Sequence, residues 1–264
     1  MKHKIMFLYI RNVILRIINI FVQENYKADM GNEYFKFKQF IIKQEKCGMK
    51  VGTDGVLLGA WTDTREASNI ADIGTGTGLI AIMLAQKCGA NITGIEINED
   101  AAIQAKENMD NTLWHDRLNA VKADINDYYL YNESKFDLIV SNPPFFIEDV
   151  KGYSEKRNMA RHTDSFDFTS LVKAVSYMLT SDGRFCVILP ATCSTDFIGE
   201  AIKTGLVLTK RTEIITKPGV KPKRILMEFC KGHKNAPTEF SQLLLSANGE
   251  KTDEYIELTK DYYL

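Results

Sequence analysis

The chain predicts an α/β fold, a mostly parallel β-sheet with helices on both faces. Three observations lead there. From Glu33 onward, short apolar runs alternate regularly with segments of helical periodicity. One run passes into the glycine-rich turn Asp72-Ile73-Gly74-Thr75-Gly76-Thr77-Gly78, which opens a helical segment, and another, Phe136-Asp137-Leu138-Ile139-Val140-Ser141, ends in Asn142-Pro143-Pro144-Phe145. In a parallel sheet covered on both faces, ligands sit at the carboxyl ends of the strands near the point where strand order reverses, which is where both loops fall.

Taken in order, Tyr34–Ile42 reads as extended chain with partial alternation. Gly52-Thr53-Asp54-Gly55 then breaks the chain before a short helix, Val56–Trp61, which Thr53 or Asp54 would cap. Paired units follow: strand Asn69–Ile73 with helix Leu79–Lys87, and strand Ile92–Ile97 with helix Glu99–Asn111. Strands Leu118–Ala123 and Asp137–Ser141 come next. The remainder reads as helix Phe168–Leu179, strand Gly183–Leu189, helix Thr195–Thr204, and strands Leu206–Ile215 and Arg224–Cys230.

The glycine turn has the character of a nucleoside-cofactor site. Gly74, Gly76 and Gly78 let the backbone turn sharply and approach a ligand with no side chain in the way. Their spacing, Gly-x-Gly-x-Gly after Asp72, differs from the Gly-x-Gly-x-x-Gly of nicotinamide enzymes. Asp72 would repel a pyrophosphate and suits a cofactor carrying an ammonium. Glu96 ends the following strand, where its carboxylate can accept both ribose hydroxyl protons. Asp124, after the next strand, can accept from an adenine amino group or serve as an ordinary cap.

Asn142-Pro143-Pro144-Phe145 suits a planar amine held for alkylation. Such an amine is a poor nucleophile because its lone pair is delocalised into the adjacent π system. The Asn142 side-chain oxygen and the Pro143 carbonyl can each accept one amine hydrogen, which pyramidalises the nitrogen and aims its lone pair. Two prolines hold that carbonyl and present no competing N–H. Phe145 can stack on a flat substrate, as aromatic side chains do on extruded bases. Cofactor turn and amine loop together indicate methyl transfer onto nitrogen.

With 264 residues, 45% hydrophobic and 25% charged, the chain suits one well-cored domain, taken as residues 33–264 after an extension of residues 1–32. Five scattered cysteines show no zinc spacing and no disulfide framework, which favours a reducing, cytoplasmic compartment. The four histidines likewise show no metal-ligand spacing, so no metal is expected. The formal net charge of -1 conceals basic segments: residues 1–46 carry nine Lys/Arg against four Asp/Glu, and residues 203–234 carry nine against two. Such segments suit a polyanionic partner or a solvated charged surface. The apolar stretch from Ile5 to Val22 contains Arg11 and Arg16, each costing roughly 2.5–3.5 kcal/mol at a bilayer centre. No stable membrane association is therefore expected, and the extension receives no catalytic role.

The chain resembles the class I S-adenosylmethionine-dependent amino-methyltransferases. Within them it is most similar to the bacterial tRNA(Val) adenine N6-methyltransferase family, which modifies the adenine beside the anticodon. The resemblance spans about Glu33 to Leu264. It rests on Phe37-Lys38-Gln39-Phe40, on the block from Cys47 through Met49-Lys50-Val51-Gly52-Thr53-Asp54-Gly55 to Trp61, on Asp72–Gly78, Asn142–Phe145 and Ala160-Arg161-His162, and on the tail with Tyr262-Tyr263. Phe145 stands where the family commonly carries tyrosine. The resemblance implies a Rossmann-like fold with a seven-stranded sheet, S-adenosyl-L-methionine as cofactor and tRNA as partner. It also implies that Gly52, Thr53 and Asp54 close over the methionine end of the cofactor. The polar segment between Phe146 and Asp167, with Lys151, Lys156, Arg157, Arg161 and His162, reads as a substrate clamp, His162 contacting phosphate or base.

Other readings remain open at the level of sequence. Guanine N2 methylation on ribosomal RNA and glutamine N5 methylation on release factors use related Asn-Pro-Pro loops. A catalytically silent RNA-binding scaffold and a nicotinamide oxidoreductase belong to different classes; intact Asp72, Glu96 and Asn142 argue against the scaffold, and the glycine spacing against the oxidoreductase.

Overall fold

A computed structural model describes residues 33–133, 135–144, 168–232 and 237–264. The amino-terminal extension, Phe145 and the basic segment with Lys151, Lys156, Arg157, Arg161 and His162 lie outside the described residues.

The elements are β1 (Tyr34–Lys36), β2 (Ile41–Lys43), α1 (Thr53–Trp61), β3 (Asn69–Ile73), α2 (Leu79–Lys87), β4 (Asn91–Glu96), α3 (Glu99–Asp110), β5 (Leu118–Lys122), α4 (Ile125–Tyr131) and β6 (Phe136–Ser141). They continue with α5 (Phe168–Met178), β7 (Leu179–Pro190), α6 (Ser194–Lys203), β8 (Leu206–Ile215), β9 (Arg224–Lys231), β10 (Glu239–Leu244), the two-residue strands β11 (Ser246–Ala247) and β12 (Glu250–Lys251), and α7 (Asp253–Thr259). The main sheet has the order β10-β8-β9-β7-β6-β3-β4-β5. Strands β3 to β7 pair in parallel, whereas β9 runs antiparallel between β7 and β8.

Period-two side-chain alternation sends each strand's apolar residues to two cores. Ile70, Leu138, Val140, Cys186 and Ile188 join α1, α2 and Tyr255 of α7 on one face. Ala71, Ile73, Ile139, Phe185, Val187 and Leu189 join α5 and α6 on the other. Continuous apolar strands such as Phe136–Ser141 are buried because helices cover both sides. Lys87 at the end of α2 donates to the carbonyls of Ala60 at 2.8 Å and of Thr62, closing the carboxyl end of α1.

The sheet holds eight strands where seven are expected. The additional β10 pairs in parallel with β8 at the edge, from Glu239 opposite Lys210 to Leu244 opposite Ile215. Its first four residues are exposed and only Leu243 is buried, so the segment lacks the apolar alternation that marks a strand in sequence. The expected extended segment Tyr34–Ile42 is a tight hairpin, β1 against β2, turned at Phe37 N–H to the Phe40 carbonyl at 2.9 Å. Helix α1 starts at Thr53 rather than Val56, with Gly52 as its N-cap and no side-chain cap bond. Thr53 and Asp54 thus fall inside the helix, and the capping role expected of them is overturned. Two short helices of seven residues each were not expected, α4 capped by Asp124 and α7 capped by Thr252. Among the described residues no helix is long and apolar enough to cross a membrane.

Phe185 on β7 is fully buried, with ring centroids 6.2 Å from both Phe197 and Phe229. Phe185→Ala is expected to lower unfolding free energy by about 3–5 kcal/mol in urea denaturation, whereas a loss below about 1 kcal/mol would place this layer outside the core.

Candidate active site

Strand order reverses between β3 and β6: β4 and β5 extend the sheet on one side of β3, β6 and β7 on the other. Ile73 and Ser141 are register partners, and the Ser141 hydroxyl donates to the Ile73 carbonyl at 2.9 Å. The next residues are Gly74 on one strand and Asn142 on the other. The cofactor turn and the amine loop therefore start side by side, about one strand spacing of ~4.8 Å apart. Asn142 is half-buried, Pro143 buried and Pro144 exposed.

The turn itself is left-handed at Gly74, Gly76 and Gly78, with φ of 71°, 55° and 82°. The three glycines have different reasons to be there. A Cβ at Gly74 or Gly76 would meet nothing within 4 Å among the described residues, which leaves room beside the backbone for a ligand. A Cβ at Gly78 would meet the Ala105 backbone at 3.4 Å, an ordinary contact, so here it is the left-handed φ and not the packing of α3 that calls for glycine.

Asp72 is completely buried and organises the turn. Its Oδ2 accepts from the Thr75 hydroxyl at 2.6 Å and from the Ala81 N–H at 3.2 Å, joining the end of β3 to the first turn of α2. Its Oδ1 has no partner among the described residues, an unmet acceptor next to the turn. Burial pushes its pKa up to about 7, against the opposing hydrogen bonds from Thr75 and Ala81, with Glu96 adding to the rise. Thr75 in turn rests on Gly94 of β4, where a Cβ would lie 2.8 Å from the threonine side chain.

Glu96 Oε2 accepts from Gly76 N–H at 2.9 Å and its Oε1 from Asn98 N–H at 3.0 Å. A carboxylate oxygen has two lone pairs, so each retains capacity for a hydroxyl donor. Asp124 lies two residues past β5; the intervening Ala123 N–H donates to the Glu96 carbonyl at 2.8 Å. Asp124 Oδ1 caps α4 through Asn126 N–H at 2.8 Å, the cap reading of this residue. Asp72, Glu96 and Asp124 thus stand at the carboxyl ends of three adjacent strands.

The segment Gly52–Asp54 comes to the same place by helix packing. A Cβ on Gly55 would lie 3.2 Å from Leu79, which sets the start of α1 against the start of α2, immediately after Gly78. Asp54 Oδ2 accepts from Arg224 Nε at 2.6 Å, fixing this start to the first residue of β9. Two contributors were missed in sequence, Asn108 and Gln104 of α3. Asn108 donates to the carbonyls of Thr77 and Lys43, both at 2.8 Å, and Gln104 accepts from Lys46 N–H at 3.2 Å. Asn108 thereby ties the end of the β1–β2 hairpin to the glycine turn, and Gln104 holds the chain that follows it. The signal was available: two amides four residues apart on the alanine-lined, buried face of an otherwise amphipathic helix. Among the described residues no group of three or more His, Cys, Asp or Glu gathers as a metal site would require.

Because the pKa of Asp72 is raised on folding, from 3.8 to about 7, the folded chain holds a proton there that the unfolded chain releases. Its contribution to stability is full below the unfolded value and is lost as pH rises through about 7. Asp72→Asn keeps an acceptor for Thr75 and Ala81 but cannot ionise. The variant is expected to gain in stability relative to the parent as pH rises from 4.5 to 8; a constant difference in chemical denaturation across that range would refute the raised pKa.

A predicted O-methyltransferase from Agrobacterium tumefaciens superposes with a TM-score of 0.64 at 21% identity, over 79% of this chain and 96% of its own. The glycopeptide N-methyltransferase MtfA complexed with (S)-adenosyl-L-methionine superposes with a TM-score of 0.50 at 14% identity, over 69% and 89%. At these identities the likeness is one of fold, the Rossmann-like class I methyltransferase fold. The methyltransferase small domain model matches residues 49–195. A tRNA1(Val) (adenine(37)-N6)-methyltransferase from Phocaeicola vulgatus is 45% identical over 89% of this chain and 99% of its own length. One of the same name from Trichodesmium erythraeum is 41% identical over the same shares. The chain belongs to the tRNA1(Val) (adenine(37)-N6)-methyltransferase family.

Proposed function

We propose that this chain transfers a methyl group from S-adenosyl-L-methionine to the N6 amine of adenine 37, beside the anticodon of tRNA1(Val), in the bacterial cytoplasm, and that residues 33–264 act as one methyltransferase domain. The observation that supports it best is the pairing of Ile73 with Ser141, which sets Asn142 beside Gly74 at the reversal of strand order. The residues suit the cofactor. Gly74 and Gly76 leave space along their backbone, Glu96 retains lone pairs for a ribose diol, and the unmet Asp72 oxygen and the Gly52–Asp54 segment suit an aminoacyl end. Asp124, next to Glu96, suits the adenine amine. When bound, the cofactor supplies an electrophilic methyl carbon on a sulfonium.

The chain's own work is positional. Asn142 Oδ1 and the Pro143 carbonyl each accept a hydrogen from the adenine N6 amine, which withdraws the nitrogen lone pair from the ring and directs it along one line. Burial of Pro143 strengthens that acceptor by excluding water. Phe145 supplies a face for the extruded base, and Lys151, Arg157, Arg161 and His162 suit contacts to its flanking phosphates. The anticodon loop is single-stranded, so extruding one base costs a few kcal/mol or less. No cysteine follows the prolines to form a covalent adduct with a base ring.

Incubating the full chain and labelled cofactor with unmodified total tRNA, ribosomal RNA and release factors, then locating the label by mass spectrometry, tests the substrate. N6-methyladenine in tRNA is expected, and label confined to guanine or glutamine overturns the reading. Asn142→Ala should lower single-turnover methylation by ~10²-fold or more, as for loss of a preorganised polar partner in other enzymes, with cofactor affinity retained in calorimetry. Near-parental turnover would remove the proposed role of Asn142.

A further inference from the structure

Beside the active site stands a basic loop that none of the chemistry above uses. The connection between β8 and β9, Thr216-Lys217-Pro218-Gly219-Val220-Lys221-Pro222-Lys223, contains three lysines and no acidic residue. All three lysines are exposed, and none has an ion-pair partner among the described residues. The neighbouring cation, Arg224, is neutralised by Asp54.

Sheet register places this loop. Ser141, the last residue before Asn142, is level with Val187 on β7, and Pro190 at the end of β7 is level with Arg224 on β9. Arg224 is therefore two strands to the side of Ser141, about 10 Å away, and three residues further toward the carboxyl edge than Ser141, about another 10 Å. The loop leaves the sheet at that point, at the same carboxyl edge from which Gly74 and Asn142 emerge.

The loop is also preorganised. Its base is closed by Lys223 N–H to the Ile214 carbonyl and by Ala191 N–H to the Lys223 carbonyl, both at 3.1 Å. Val220 N–H returns to the Lys217 carbonyl at 3.4 Å, and Gly219 adopts φ of 78° between two prolines' worth of restricted chain. A loop held this way loses little entropy on meeting a partner. Three unpaired cations on a rigid projection, free of acids, suit a row of phosphates rather than a protein surface of mixed charge.

We propose that Lys217, Lys221 and Lys223 form a phosphate grip for the substrate RNA, contacting backbone phosphates while the target base is held at Asn142. This rests on the RNA-methylating reading above. The test uses the full chain and an unmodified valine tRNA transcript, with the triple variant Lys217→Gln, Lys221→Gln, Lys223→Gln and its charge-preserving counterpart carrying arginine at the same three positions.

For the glutamine variant the KM for tRNA should rise at least tenfold, the loss falling on KM rather than kcat. The slope of log binding constant against log salt should become shallower by about 2, since each phosphate contact to a single strand contributes about 0.7. The arginine variant should stay within about threefold of the parent in both. An unchanged KM and salt slope in the glutamine variant, or a loss that the arginine variant shares, overturns the grip while leaving the methylation reading intact. Failure of the parent chain to methylate any tRNA transcript overturns both.

Discussion

The site depends on one carboxylate kept out of water. Asp72 lies inside the sheet with a single oxygen shared between a threonine of the turn and the first turn of the following helix. Three left-handed glycines make the turn possible, but freedom alone does not fix a shape. The shape comes from that bifurcated acceptor and from two backbone bonds, Gly74 and Thr75 N–H to the Ile95 carbonyl at 2.8 and 3.2 Å. The price is a charge in a dry place, visible as a pKa pushed up to about 7. Glu96, half-buried, holds the other side of the turn through Gly76.

Around this turn the fold gathers parts that are far apart in sequence. Parallel pairing brings Asn142 next to Gly74, antiparallel pairing brings Arg224 level with Pro190, and the Arg224–Asp54 ion pair carries the link on to the start of α1. On the opposite flank Asn108 and Gln104 reach from α3 to the β1–β2 hairpin. Phe37 of the same hairpin stacks against Phe40 at 4.6 Å and against Tyr263 at 6.0 Å, which brings the carboxyl tail into contact with the amino-terminal hairpin. Elements from both ends of the described chain thus meet around the turn.

Much of this was legible in the residues because the relevant signals are local. The helix Leu79–Lys87 and the strand Leu206–Ile215 have the same bounds in sequence and structure, each starting on apolar residues with glycine immediately before it. The glycine turn and Asn142-Pro143-Pro144 announce themselves by composition and by place at strand ends. What was not legible is long-range. The edge strand Glu239–Leu244 is defined by hydrogen bonds to β8, since its exposed side chains have no pattern to show. Thr53 and Asp54 look like caps until Arg224, 170 residues away, claims the aspartate. Asn108 looks like a polar interruption of α3 until the two carbonyls it serves are seen to belong to Thr77 and Lys43.

The contact between Thr75 and Gly94 restricts how this sequence can drift. Any side chain at position 94 would bring its first carbon to within 2.8 Å of the threonine methyl, and losing that methyl alone would not relieve the overlap, since Oγ1 and Cβ would still lie at 2.9 and 3.0 Å; removing Oγ1 as well forfeits the hydroxyl that Asp72 accepts from. A change at either position is therefore harmful alone, and the obvious compensating second change is harmful too. Space at position 94 and the hydroxyl at position 75 are thus one coupled requirement, met by the smallest residue on one strand so that a branched one can stand on the turn.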